Sequence, residues 1–144
     1  MKNLFVIILL PILMGCISNS SLRKNFPFHI LNGNSAKVWI LSKSNDVNEY
    51  AVPKMRNYRR TFTFFVNKSF REQELIHLGS DNGRIGRYKI IGNGLDDFVL
   101  ELNYKDGERS YFKIIRIKNN FLKLQNYHKK EIEWQFKTLN PPLK

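Results

Sequence analysis

The amino-acid sequence predicts an all-β domain, a small antiparallel up-and-down β-barrel of about eight strands. Three observations carry that expectation. Short runs alternate apolar and polar residues, turn-forming residues separate them at a spacing of about 12 residues, and the connections are too short for crossover helices. Eight antiparallel strands leave two open edges unless the sheet closes, and closure into a barrel removes both. One alternating face, aromatic and branched, then fills the interior while the Lys/Glu face points outward.

Each element has its own local warrant. Val38, Trp39, Ile40 and Leu41 mark a first strand over 37–43. Residues 45–58 have no clear period, and Pro53 argues against one continuous helix or strand there; a helix over one mouth of the barrel stays open. Over 60–66, Phe62, Phe64 and Val66 share one face and Thr61 and Thr63 the other. Asn67-Lys68 is a tight turn into a strand over 69–78, and Asp81-Asn82-Gly83 leads to one over 85–91. Gly92-Asn93-Gly94 turns into 98–103, where Phe98, Leu100 and Leu102 alternate with Val99, Glu101 and Asn103. Asp106-Gly107 is a hairpin signal of the type I′ kind, followed by a strand over 109–117. Asn119-Asn120 separates this from 121–125, and Ile132, Trp134 and Phe136 define the last strand, over 132–137. Asn140-Pro141-Pro142 ends the domain.

The N-terminus supplies an address. Lys2, the apolar run Leu4 to Leu13 and the small residue Gly15 form the pattern of a secretory signal, too short for a membrane span. Leu13-Met14-Gly15-Cys16 resembles a bacterial lipobox, in which the cysteine is acylated and the chain is cut before it. Cys16 is the single cysteine of the chain, so no internal disulfide forms, and acylation removes a free thiol from an oxidising compartment. The resemblance implies permanent membrane attachment through several acyl chains. Ile17 stands where an aspartate would signal inner-membrane retention, so the expected location is the outer membrane of a Gram-negative cell envelope. The expected organisation is a signal peptide over 1–15, a lipidated tether over 16–30, the barrel over 31–139 and a tail over 140–144.

The 144 residues carry 24 Lys+Arg against 12 Asp+Glu, a formal net charge of +12 that falls by one when Lys2 leaves with the signal. The cations are scattered, the densest group being Lys54, Arg56, Arg59 and Arg60, and no nucleic-acid-binding signature accompanies them. Two readings of the charge stand: attraction to anionic headgroups or envelope polymers, and a solvated surface in a chain rich in Lys, Asn and Ile.

In order, the features resemble the lipocalin-like domains of small bacterial lipoproteins. The resemblance rests on Lys37-Val38-Trp39-Ile40-Leu41, on Arg60-Thr61-Phe62-Thr63-Phe64 leading to Ser69-Phe70, and on Gly86-Arg87-Tyr88-Lys89-Ile90. Tyr111-Phe112-Lys113-Ile114-Ile115 before Asn120-Phe121-Leu122-Lys123-Leu124 continues it. It implies the barrel fold and no particular activity.

The sequence offers little reactive chemistry. His29, His77 and His128 lie in different elements with no ligand spacing, so neither a metal nor another cofactor is expected. No nucleophile elbow or phosphate loop is present, and the expectation is a protein that is not an enzyme. Two functions remain. In the first, the barrel holds a small hydrophobic or amphipathic ligand, with Trp39, Phe62, Phe64, Tyr88, Phe112 and Trp134 as interior candidates; the same rings serve equally as packing. In the second, a tethered interaction module uses its basic surface to contact envelope polymers or a partner protein. Inhibition of cell-wall lysozymes, a variant of this, is opposed by like-charge repulsion because those enzymes are commonly basic.

Overall fold

A computed structural model describes residues 25–46, 58–92 and 97–139. The signal peptide, Cys16, most of the tether, the core of the aperiodic segment after residue 46, Asn93-Gly94 and the tail lie outside the described residues.

Eight antiparallel strands form one closed barrel in sequence order. They are β1 (Ala36–Ser44), β2 (Arg60–Phe65), β3 (Ser69–Glu74), β4 (Arg84–Gly92), β5 (Phe98–Tyr104), β6 (Arg109–Lys118), β7 (Phe121–Asn126) and β8 (Glu133–Thr138). A short helix, α1 (Phe28–Asn32), precedes them. Closure is made by β1, which pairs with β2 along one edge and with β8 along the other. The third strand is shorter than its apolar pattern suggests, because Leu75–His77 turns into a single 3₁₀ turn.

Register explains the interior. Residues paired across antiparallel strands share a face, so Ile90, Leu100, Phe112 and Asn126 form one inward row over four strands. Ile114, Leu124, Trp134 and Ser44 form another. Irregularities between Leu41 and Lys43 and between Ile114 and Arg116 insert one residue each. They bring Ser44 and Ile117 back to the inner face, as bulges do at barrel corners.

Two hairpins share one geometry. In β2–β3 the Lys68 N–H donates to the Phe65 carbonyl (3.1 Å), and in β5–β6 the Gly107 N–H donates to the Tyr104 carbonyl (3.0 Å). Lys68 (φ 66°) and Gly107 (φ 94°) take the left-handed conformation that ends each turn. Asp106 does not have positive φ, so the turn is a three-residue loop with glycine in the left-handed position and not the type I′ pair expected from Asp106-Gly107.

Three further features depart from the sequence reading. Phe26 is buried and α1 packs on the barrel, so the ordered fold reaches into residues assigned to the tether. The Lys/Glu face is not uniformly outward: Lys37 pairs with Phe64 and Glu72 with Phe62, which puts both on the inner face. Thr61 and Thr63, on the outer face, are buried as well. Next to them the β3–β4 connection folds back over the sheet, where Gln73 Nε2 donates to the Asn82 carbonyl (3.1 Å) and Arg71 to that of Ser80.

Candidate functional site

Sequence reasoning placed a ligand site inside the barrel, and the structure brings its six aromatic residues to that interior. Trp39 lies on β1, Phe62 and Phe64 on β2, Tyr88 on β4, Phe112 on β6 and Trp134 on β8, all buried. Five of them, all but Trp39, are joined to one another by ring contacts. Phe62 contacts Phe64 (centroids 5.8 Å apart), Trp134 (6.4 Å) and Phe136 (5.5 Å). Phe64 meets Tyr88 edge-on at 5.0 Å, and Phe112 lies 5.1 Å from Trp134. Offset and edge-on contacts at these separations are the favourable ones for aromatic pairs, so these rings form a packed cluster.

Trp39 has a separate role at one mouth. There α1 lies across the opening with Leu31 fully buried, and Trp39 Nε1 donates to the Leu31 carbonyl at 2.8 Å. The Asn32 amide donates to the carbonyls of Phe28 (2.7 Å) and Gly33 (3.0 Å) and accepts from the Tyr88 hydroxyl at 2.9 Å. Lys37 Nζ donates to the carbonyls of Ile30 (2.8 Å) and Asn119 (2.6 Å), and its burial lowers its pKa. Phe26 packs edge-on against Phe28 and Phe98, fixing the entering chain. This mouth is plugged. The sequence signal for the plug was Phe26-Pro27-Phe28, an apolar stretch with no strand period.

The opposite mouth holds a charged cluster that sequence reasoning missed. Glu72, directly across from Phe62 on the inner face, is buried and ion-paired with Arg60. It also accepts from the Tyr104 hydroxyl at 2.6 Å. Burial first, and the neighbouring Glu72 charge second, hold the Tyr104 hydroxyl well above the usual tyrosine range. The Arg84 guanidinium lies 3.8 Å over the Tyr104 ring and donates to Glu108 (2.6 Å) and Asp106 (2.9 Å). Burial opposes its charge, but those two hydrogen bonds outweigh it and raise the Arg84 pKa. The Glu108 backbone N–H, and then Arg84, pull Asp106 below its ordinary value. Arg60 lies 4.8 Å over the Trp134 ring. The available signal was an acidic residue in the apolar phase of a strand, Phe70-Arg71-Glu72.

Four clefts formed by described residues open on the outside and at the rims. One of about 300 Å³ lies over Tyr58, Arg60, Glu72, His77 and Arg84 at the charged mouth. A larger one, about 630 Å³, lies on the outer face of β3 to β5 and is edged by Phe65, Arg71, Ile85, Arg87 and Lys105. Neither is lined by any of the six interior candidates. Among the described residues no three His, Cys, Asp or Glu side chains gather as a metal site. The three histidines stand apart: His29 on α1, His77 after β3 and His128 after β7. Asp97 pairs with Lys113 at 2.8 Å and Glu133 with Lys123 at 2.8 Å. No helix among the described residues is long and apolar enough to cross a membrane.

The closed eight-stranded antiparallel barrel is compatible with the lipocalin-like fold that the order of sequence features resembles. No family model, curated protein or solved structure matches the chain.

Proposed function

We propose that this protein is a lipocalin-like envelope lipoprotein, anchored by acylated Cys16, that works through the outside of its barrel and not as an enzyme. The observation that carries the reading is the packed aromatic cluster. Five of the six aromatic candidates are in contact with one another, and a ligand admitted among them would have to displace packed rings. The outer surface carries most of the charge that the sequence holds in excess, and a cleft of about 630 Å³ there joins Arg71, Arg87 and Lys105 to Phe65 and Ile85. Such a surface suits an anionic partner with some apolar character.

Native mass spectrometry of the protein extracted from its membrane tests both halves. The expected result is acylation at Cys16, no retained small molecule, and salt-sensitive association with anionic envelope material. A reproducible extra small-molecule mass on the barrel would sink the packed-core reading.

One observation favours the carrier reading: Trp134 Nε1 is buried with no hydrogen-bond acceptor among the described residues. A ligand carbonyl at that donor would satisfy it. The discriminating measurement is tryptophan fluorescence across a panel of lipophilic ligands; saturable quenching lost in Trp134→Phe would establish the carrier.

A further inference from the structure

The two ends of the barrel differ in charge, and the chain enters at the more basic one. The α1 end is formed by α1, the β2–β3 turn, the starts of β1, β5 and β7 and the ends of β4, β6 and β8. Among the described residues it carries Lys37, Lys68, Arg116, Lys118 and Lys137 against Asp97, which is already paired with Lys113. The other described carboxylates lie elsewhere. Glu101 is halfway along the barrel, and the rest, among them Glu72, Glu74, Asp106, Glu108 and Glu133, sit at the far mouth, where cations such as Arg59, Arg60, Arg84, Lys105, Lys129 and Lys130 offset them and leave that end nearer neutral. The sequence adds Arg23 and Lys24 before Asn25 and Asp96 before Asp97, and, between β1 and β2, Lys54 and Arg56 against Glu49.

The basic end also has the right relief. Lys118, Phe121 and Lys137 form one outward row on three adjacent strands, with Leu139 immediately after. Val66, Ile91, Ile115 and Leu139 are exposed around this rim. Exposed apolar residues occur at the far mouth too, so they do not set the polarity; the charge does. Aliphatic side chains ringed by lysines match a bilayer interface, where the chains enter the headgroup layer and the ammonium groups stay with the phosphates.

The anchor decides which surface is met. The peptide from Cys16 to Asn25 reaches at most about 30 Å when fully extended. Asn25 lies at the α1 end, in a cleft with Arg116 and Ile117. From these observations we infer that the α1 end docks on the anionic surface of the membrane that holds the anchor, with the charged Arg60/Glu72/Tyr104 mouth facing away. The inference rests on the anchored-lipoprotein reading. Tethering raises the local concentration of lipid, so contacts too weak to bind from solution suffice to orient the barrel.

The test uses the acylated protein, with Cys16 blocked by its lipid so that one introduced cysteine is uniquely labelled. Val66→Cys marks the α1 end and Ile76→Cys the far mouth. Each carries a polarity-sensitive fluorophore, in phosphatidylcholine vesicles with and without phosphatidylglycerol and with a quencher on the headgroups. The expected result is a label at Val66 that is shielded and quenched only with phosphatidylglycerol, reversed by high salt, beside an unchanged label at Ile76. Arg116→Gln, Lys118→Gln and Lys137→Gln should each lower the docked-to-free ratio about fivefold. Lys129→Gln, at the far mouth, should leave it unchanged. Equal shielding of the two labels, or shielding that ignores lipid charge or salt, overturns the inference. So does preferential protection of Val66 by a soluble polyanion. If the mass shows Cys16 unacylated, the anchoring reading has failed by itself. The labelled chain is then added to the same vesicles from solution, where the same comparison decides the orientation.

Discussion

Gly86 lies opposite Phe70 on one side and Tyr104 on the other, on the inner face of the barrel. Its missing side chain lets those two rings meet edge-on at 5.0 Å. A methyl group there would lie 2.8 Å from the Phe70 ring and overlap the Asn103 carbonyl. Gly86→Ala should therefore cost about 1–3 kcal/mol by overpacking. Urea denaturation reads this directly, and an unchanged midpoint would show that β4 shifts without resistance. Two residues along the same network, Tyr104 makes a pH prediction. Its hydroxyl is held neutral in the fold, above the value it has in the unfolded chain. Below the unfolded value, about pH 10, that preference contributes fully to stability. Above it the unfolded chain loses the proton while the folded barrel keeps it, so stability falls as pH rises. Tyr104→Phe should flatten this alkaline loss. It should also cost about 1–3 kcal/mol at neutral pH, because Glu72 loses a donor in a buried place. An alkaline limb as steep as the wild type's would assign the loss to other groups.

At the scale of elements, α1 and the hairpins behave differently. Helix α1 has five residues, too few to persist on its own, and no side chain caps it. It exists because Leu31 fills the mouth and because Trp39, Asn32 and Lys37 bond its backbone. Leu31→Ala should remove about 2–5 kcal/mol and raise hydrogen exchange at the Trp39 indole. Retained protection of that indole would mean that the backbone bonds hold the plug without its apolar anchor. The hairpins are local. Gly107 has φ 94° and open space where a Cβ would lie, so Gly107→Ala meets conformational strain and no clash. The expected loss is about 1 kcal/mol. The β2–β3 turn makes the same shape with Lys68, whose ammonium lies 3.1 Å over the Phe28 ring and whose burial lowers its pKa. A lysine in that strained position ties the turn to the plug, which a glycine would not do.

At the scale of the whole molecule, closure joins the first strand to the last. Removing β8 would expose the backbone edges of β1 and β7 together with the apolar side chains of Leu41, Leu122 and Leu124. A chain ending before Glu133 should therefore associate through those edges, seen by light scattering. A stable monomer of that length would show that seven strands close without the eighth. Closure also produces the polarity of the surface. Up-and-down order sends alternate turns to opposite ends, so Asp81, Asp106, Glu108 and Glu131 in the turns after β3, β5 and β7 gather at one mouth, where Lys105, Lys129 and Lys130 offset them. Lys68 in the turn after β2 and Lys118 at the end of β6 lie at the other mouth, where the chain enters.

Strand number, strand faces and most turns were legible in the sequence. A period of two in Phe62-Thr63-Phe64 or Trp134-Gln135-Phe136 and a glycine or asparagine after it are local signals, read within a few residues. The convergence of Trp39, Phe62, Phe64, Tyr88, Phe112 and Trp134 followed from the same parity. Whether they leave a space did not, because parity assigns a face to each side chain and says nothing of what meets it there. Glu72 illustrates the limit. Its place in the alternation put it inside, yet its carboxylate argued for the outside, and only Arg60 and Tyr104, brought from β2 and β5, make the buried position tolerable. The plug was hidden for a related reason: Phe28–Asn32 is helical through contacts with β1 and β4, not through its own propensity. The turn after Asp106 followed hydrogen bonds to Tyr104 and Glu108 over the dipeptide preference. By itself, then, the sequence determined an eight-stranded alternating chain, because strand and turn preferences are set by neighbours along the backbone. The tertiary structure alone decided the packed aromatic cluster, the plugged mouth and the basic end, because each depends on residues far apart in sequence meeting at one place.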